Sequence, residues 1–337
     1  DRVAEPGLDV LVEAEAPVDR GLLEGLPQGS SNSRLELAGE LGRELVESPT
    51  DLGARAQLGL DVDRRIGRRD RRRRVGAVSR PYEAWLLETM SREIRAARNW
   101  PLLLQVQPGD ELDNALEDAL AYQVDGAIVA AGSVSPALAE RCRNSGAPIV
   151  MVGRIMPGGD TDAVCCDNRL GLELLVDHLA SSGRKKLAWI GGTPETFSNI
   201  ERHDGLMQAL ARRGMKLLAA RQGDYSVDSG LAQALTLLTA PEKPDAILCG
   251  NDAMALGAIA AARRLGLSVP GDVAIAGFDD IPAAAWEPYQ LTTVRNPVLE
   301  TTREALRLLR QRIDGHGETS SAEIVRLAPE LVIRQSA

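Results

Sequence analysis

The chain has 337 residues, of which 44% are apolar and only 3% aromatic, and its net charge is −9. That length predicts two compact units plus an appendage, with a core of Ala, Leu, Val and Ile that suits layered α/β packing better than a β-sandwich. The acidic balance excludes a surface that coats nucleic acid throughout, because phosphate binding needs clustered Lys and Arg; only a small local DNA-binding element fits.

Residues 1–73 differ from the rest. Residues 1–60 hold twelve acids against five arginines, so an acidic tail is expected. A basic block follows, with Arg64, Arg65, Arg68, Arg69 and the run 71–74. This block reads either as nonspecific phosphate contact or as a solvated linker. Asp1, Glu5 and Asp9 stand where a secretory signal would carry basic and then apolar residues. No apolar run reaches the roughly eighteen residues of a membrane span, so a cytoplasmic protein without membrane contact is expected.

From residue 75 onward, short apolar runs alternate with amphipathic stretches, the pattern of parallel βαβ units. Strands are predicted at 75–78, 102–106, 126–130 and 149–152, with helices at about 83–98, 111–123 and 136–145. A second series follows 163–166. Its strands are predicted at 187–190, weakly at 216–220, then at 246–249 and 273–276. Its helices fall at about 169–182, 199–213, 228–238 and 252–265. Two such series imply two doubly wound parallel-sheet lobes.

Helix ends mark the boundaries. Asn251 is placed to cap the Ala-rich helix and Gly266 to stop it. Asn296 and Pro297 offer a cap and a first-turn proline for a helix running to Ile313, with Gly315 beyond.

Catalytic and metal signatures are scarce. Cys142, Cys165, Cys166 and Cys249 form no CxxC pair and no zinc spacing, and four reduced thiols are expected. Only His178, His203 and His316 are available as bases, and HExxH, Walker A and GxGxxG are all absent. Asp279 and Asp280 are adjacent in an extended segment, so they point to opposite sides and chelate poorly. No enzyme activity, metal or cofactor is expected.

The stretch PDAILCGNDAMALGAIAAARRLGLSVPGDVAIAGFDD, residues 244–280, resembles LacI/GalR transcription regulators. VDGAIVA from Val124, Asp167–Asn168 leading to VDHL, LAWIGG from Leu187 and LTTVRNP from Leu291 fall in the right order. The resemblance covers roughly residues 74–333. It implies a type I periplasmic-binding-protein-like body, two α/β lobes joined by three crossing strands with ligand between them. The effector body would span 74–337, its first lobe about 74–166 plus 296–319 and its second about 167–295 plus 320–337. The crossings would lie near Cys166–Asp167, near Val294–Asn296 and near Ser320.

In open parallel sheets, ligands bind beyond the carboxyl ends of the strands. Six of the ten aromatic residues follow strands there: Tyr82, Trp85, Phe197, Tyr225, Phe278 and Trp286. They read as a stacking platform for a sugar ring or flat base, or as seals over the core. Arg202, in SNIERHDGL, matches the family arginine that bonds the effector, and its guanidinium fork suits vicinal hydroxyls or an anion. An exposed helical arginine is the alternative. Asp279 matches the effector-binding aspartate and is suited to two hydroxyls. Asn251, or its neighbour Asp252, would face the cleft in addition to capping. Ser198, Arg154 and Asn296 fall on or near contact positions, and Ala84-Trp85-Leu86 departs from the Asn-Pro-aromatic sequence common in the family.

The implied function is a homodimeric, ligand-responsive regulator, a repressor sensing a sugar, polyol or nucleoside and binding operator DNA. The alternative is a solute-binding protein without DNA binding. The family's helix-turn-helix, with its Ala-Gly-Val-Ser turn, is not recognisable in residues 1–73. The abrupt change just before Arg74 also fits a shifted reading frame or a misassigned start.

Overall fold

The computed structural model describes residues 9–13, 81–104, 123–130, 140–142, 144, 146–156, 158–315 and 321–337. Apolar runs such as GAIV, IVMV and AILC are buried along their whole length, as strands covered on both faces must be. Numbered in chain order, the strands are β1 (Asp9–Glu13), β2 (Trp100–Leu104), β3 (Gly126–Val129), β4 (Ile149–Val152), β5 (Asp162–Cys166), β6 (Leu187–Gly191), β7 (Ala219–Gln222), β8 (Ala246–Cys249), β9 (Ala274–Asp279), β10 (Thr292–Arg295), β11 (Ile324–Leu327) and β12 (Glu330–Val332). They form two six-stranded sheets, ordered β11-β5-β4-β3-β1-β2 and β12-β10-β9-β8-β6-β7. Every pairing is parallel except β10 with β12.

The helices are α1 (Pro81–Ala96), α2 (Asn168–Ser181), α3 (Phe197–Arg212), α4 (Val227–Leu238), α5 (Asp252–Arg264) and α6 (Val298–Ile313). Leu86, Met90 and Ile94 recur every fourth residue on α1. That stripe packs with Leu306 and Leu309 of α6 against Ile128, Val150 and Val164 of the first sheet. In the second sheet, alternate strand residues feed two cores. Leu187 and Trp189 face α2 and α3, whereas Ala188 and Ile190 face α4 and α5. This sandwich carries the strand ends from which the site is built.

Chain passages between the sheets follow from strand membership. The chain leaves the first sheet after β5, returns between β10 and α6, and leaves again between β11 and β12. The third passage falls at residues 328–329 rather than near Ser320. β11 pairs with β5 in the first sheet, so residues 324–327 do not belong with the second lobe as the sequence suggested.

Other differences have local causes. Residues 9–13, expected in an acidic tail, form a strand between β3 and β2; the Val-Leu-Val core of that pentapeptide is a short apolar run within acidic surroundings. The expected strand at 75–78 lies outside the described residues, as do the helix at 111–123 but for its last residue and most of the one at 136–145. Asn296 does not cap α6. Pro297 is the cap residue and, with no polar side-chain atom, makes no side-chain cap bond; the Asn296 amide is turned toward Tyr82 and Asp279 instead. Asn251 does cap α5, accepting from the Met254 amide at 3.0 Å, and Gly266 follows with a φ of +70°.

Candidate functional site

A cavity of about 140 Å³ opens between the two sheets. Tyr82, Leu86 and Leu87 of α1, Cys165 and Cys166 of β5, and Thr301 of α6 line it from the first sheet's side, together with Arg154 after β4. From the second side come Asn168, Phe197, Ser198, Arg202, Tyr225, Asn251 and Asp279, with Asn296 at the passage between the sheets. Most of these stand at or just beyond carboxyl ends of strands, where helix N-termini converge.

Arg202 is the centre of the polar wall. It sits one turn into α3 and is only 5% exposed. Its Nε donates to Asn168 Oδ1 at 2.9 Å, one terminal nitrogen donates to the Gly250 carbonyl, and the other to Asp279 Oδ1 at 3.0 Å. The guanidinium carbon lies 3.7 Å from the centroid of the Phe278 ring, a cation–π contact inside a desolvated site. These bonds use three of the five N–H donors a guanidinium carries.

Asp279 ends β9 with a φ of +112°, a left-handed conformation unusual for a non-glycine residue and often found at functional positions. Its Oδ1 also accepts from Asn296 Nδ2 at 3.4 Å. Burial pushes its carboxyl above the ordinary range, with Arg202 and Asn296 pulling the other way. Burial opposes the Arg202 cation most strongly, but Asp279 together with Tyr225, Cys166 and Tyr82 outweighs it and holds the arginine above its usual value. Both effects describe one buried ion pair. Asp280 turns away, to Arg295 at 2.8 Å and Arg334 at 2.6 Å.

Tyr82, Cys165 and Cys166 keep their protons. Burial, and next Asp279, push the Tyr82 phenol upward, so it remains a hydroxyl and accepts from Asn296 Nδ2 at 3.0 Å. Burial likewise lifts Cys165 to about 11 and Cys166 to about 12, which leaves thiols rather than reactive thiolates on the wall. Tyr225 Oη is within hydrogen-bond distance of Thr196 Oγ1 at 2.9 Å and Ser198 Oγ at 3.1 Å. Asn251 uses both ends of its amide internally, since its Nδ2 donates to the Tyr225 carbonyl at 3.1 Å.

The structure thus brings Tyr82, Arg154, Phe197, Ser198, Arg202, Tyr225, Asn251, Asp279 and Asn296 to one cavity. Trp85 is not among its lining residues. It packs, half-buried, against the first sheet's core, because α1 presents Tyr82 and Leu86 to the cavity one turn apart on another face. Phe278 is a core residue beneath Arg202 with no exposure, and Trp286 is 60% exposed on the surface. The expected six-aromatic platform therefore reduces to Tyr82, Phe197 and Tyr225. Asp252 also lies outside the lining. It is buried, accepting from the Ile281 amide and the Thr293 hydroxyl.

Sequence reasoning missed Asn168, Thr301 and Glu201. Asn168 was legible only as half of a motif pair. Glu201 directly precedes Arg202, and its buried role depends on partners far away in the chain. The hydroxyl of Thr301 carries no local signal at all.

Fold and site together define a two-lobed α/β protein built to enclose a small polar molecule. The family model described as a periplasmic binding protein-like domain matches residues 176–337. The chain is 30% identical over 340 residues to the HTH-type transcriptional regulator MalR of Streptomyces coelicolor, covering 96% of this chain and 93% of that protein. That alignment extends well into the first 73 residues. Among solved structures, a LacI transcriptional regulator from a Rhodococcus species matches with a TM-score of 0.69 and 25% identity, over 77% of this chain and 95% of that one. The transcriptional regulator CelR in complex with cellobiose matches with a TM-score of 0.68 and 29% identity, over 77% and 80%. The chain belongs to the LacI family of transcriptional regulators.

Proposed function

We propose that this regulator is a cytoplasmic repressor that binds operator DNA as a homodimer and senses a sugar, or a similar polyol or nucleoside, in the cavity between its lobes. No catalytic role is assigned to it. The observation that carries the reading is the Arg202–Asp279 pair at the cavity wall. A cation with N–H groups left over beside a carboxylate with a second oxygen offers donors and acceptors together, the complement of vicinal hydroxyls. The cavity is close in size to one known to hold a benzene-sized molecule, about 150 Å³, so it suits a single ring. Tyr82, Phe197 and Tyr225 supply flat apolar surface for that ring. The cellobiose bound by CelR is of this chemical class.

Regulation requires that the ligand bind two lobe arrangements unequally, since a ligand with equal affinity for both shifts nothing. The lobes would be the units around the two sheets. DNA recognition would reside in the N-terminal segment, of which residues 9–13 alone are described.

A thermal-shift screen of sugars, polyols and nucleosides tests the proposal, run on the parent chain and on Arg202→Ala and Asp279→Ala. The expected result is stabilisation of the parent by a hydroxylated ring compound and loss of that stabilisation in both variants. Full stabilisation retained by either variant removes that residue from the site. Operator binding that is identical with and without the stabilising compound removes the regulatory role.

A further inference from the structure

The side chains around Arg202 belong to a longer hydrogen-bonded chain that starts and ends on the first sheet's side of the cavity. Arg326 of β11 grips Glu201 of α3 with two bonds, 3.0 and 2.8 Å. Glu201 accepts also from Arg169 at 2.7 Å and from Asn168 Nδ2 at 3.3 Å. The other end of the Asn168 amide holds Arg202 Nε, Arg202 holds Asp279, and Asn296 joins Asp279 to Tyr82 of α1. Both termini of this chain, Arg326 and Tyr82, are carried by elements of the first sheet's layer. The links between them ride on the second or, for Asn296, on the passage between the two.

We infer that Glu201 is a positioning residue that couples the ligand-reading guanidinium of Arg202 to lobe closure, through the cross-lobe ion pair with Arg326. The inference rests on the reading above that Arg202 contacts the effector. Its physical basis is geometric. The Glu201 side chain is only 3% exposed, and its carboxylate accepts four bonds at once. Separating the sheets must withdraw the forked Arg326 donor, because β11 pairs with β5 while α3 packs on the second sheet. Glu201 then keeps only Arg169 and Asn168, which share the α2 N-terminus and move with it. The Asn168 amide is then bonded to a carboxylate that only Arg169 still anchors, so its hold on Arg202 Nε loosens.

The reverse also follows, since coupling between two equilibria is reciprocal. An effector that holds Arg202 and Asp279 in place favours the arrangement in which Arg326 can reach Glu201. Arg326 is a suitable sensor of closure, because its planar fork pairs with a carboxylate in one orientation, whereas a lysine ammonium tolerates many.

The test uses the full chain with Glu201→Gln, Arg326→Gln, Arg326→Lys and the Glu201→Gln/Arg326→Gln double variant. Amide hydrogen exchange is read at the three passages between the sheets without ligand. Thermal shift is read with D-glucose and cellobiose as probes. Each glutamine variant is expected to speed exchange at the passages by about tenfold, with Arg326→Lys between parent and Arg326→Gln. The double variant should go no further than either single one, and exchange in β8 and β9 should stay at the parent rate. Unchanged passages in both single variants overturn the inference, as do additive effects in the double variant or an equal loss of protection in β8, which marks a merely structural residue.

With a probe that stabilises the parent, Glu201→Gln is expected to lose most of the shift while Arg202 is intact, and a full shift overturns the coupling. If neither probe stabilises the parent, these two sugars are excluded as effectors, and the exchange measurements still decide whether Glu201 and Arg326 act together.

Discussion

Gly192 lies flush against the ring of Tyr225, so that a Cβ on the glycine would stand 2.0 Å from the ring's Cζ. Tyr225 cannot retreat easily. Its backbone has a φ of +70°, its hydroxyl meets Thr196 and Ser198, and the Gly192 amide is itself tied to Asn199 Oδ1 at 2.8 Å. Gly192→Ala is therefore expected to displace the ring into the cavity, destabilising the fold by about 1–3 kcal/mol and abolishing ligand stabilisation. Tyr225→Phe keeps the ring and loses only the hydroxyl contacts, for a smaller loss of about 1 kcal/mol. Urea unfolding of the two variants checks the order, and a Gly192→Ala variant as stable as the parent contradicts the contact.

Asp252 gives the fold a pH dependence. Burial drives its carboxyl well above the ordinary aspartate value, with the Thr293 and Ile281 hydrogen bonds only partly opposing. The folded chain thus holds this proton more tightly than the unfolded chain does. The stability linked to Asp252 is fully present below the unfolded value of about 3.9 and is lost as pH rises through the raised folded value. Comparing the parent with Asp252→Asn between about pH 4 and pH 8, the difference in unfolding free energy should favour the parent most at the acid end and decline upward. A difference that does not vary with pH contradicts the upward shift of this buried carboxyl.

Two adjacent threonines of α6 should respond in opposite ways. Thr302 donates its hydroxyl to the Val298 carbonyl at 2.8 Å. The buried hydroxyl oxygen of Thr301 has no partner among the described residues, and a desolvated hydroxyl without a bond is a liability. Thr301→Val is expected to raise stability by about 1 kcal/mol and Thr302→Val to lower it by about as much. Thermal unfolding of the two variants reads the sign directly.

Tyr82 and Trp85 are neighbours on α1 with different tasks. Tyr82→Phe removes the partner of Asn296 at the cavity and is expected to weaken ligand binding about fivefold with little change in stability. Trp85→Ala should cost about 2 kcal/mol of stability through lost packing while leaving affinity near the parent value. Calorimetric titration with the stabilising compound, alongside thermal unfolding, separates the two effects; equal losses of affinity would place Trp85 at the ligand after all.

Sequence alone marked out what depends on neighbours along the chain. Alternating apolar runs and amphipathic stretches gave both βα series, Asn251 and Gly266 bounded α5, and the stretch from residue 244 to residue 280 carried the family. Arg202 and Asp279 stood out because they match the family's effector-binding arginine and aspartate, Asp279 also by its place at the end of a strand.

Only the tertiary structure decided which of those residues meet. The sequence placed Trp85, Phe278 and Trp286 after strands just as it placed Tyr82 and Tyr225, yet Phe278 lies within β9. Whether a ring enters the cavity, the core or solvent depends on a register and a helix rotation that packing sets. The β1 strand and the passage at residues 328–329 depend on which strands a short segment pairs with. Glu201 and Arg326 are 125 residues apart, and nothing local to either announces the other. Periodicity and caps are written in one dimension, whereas a buried ion pair between lobes exists only once both sheets have formed and closed on each other.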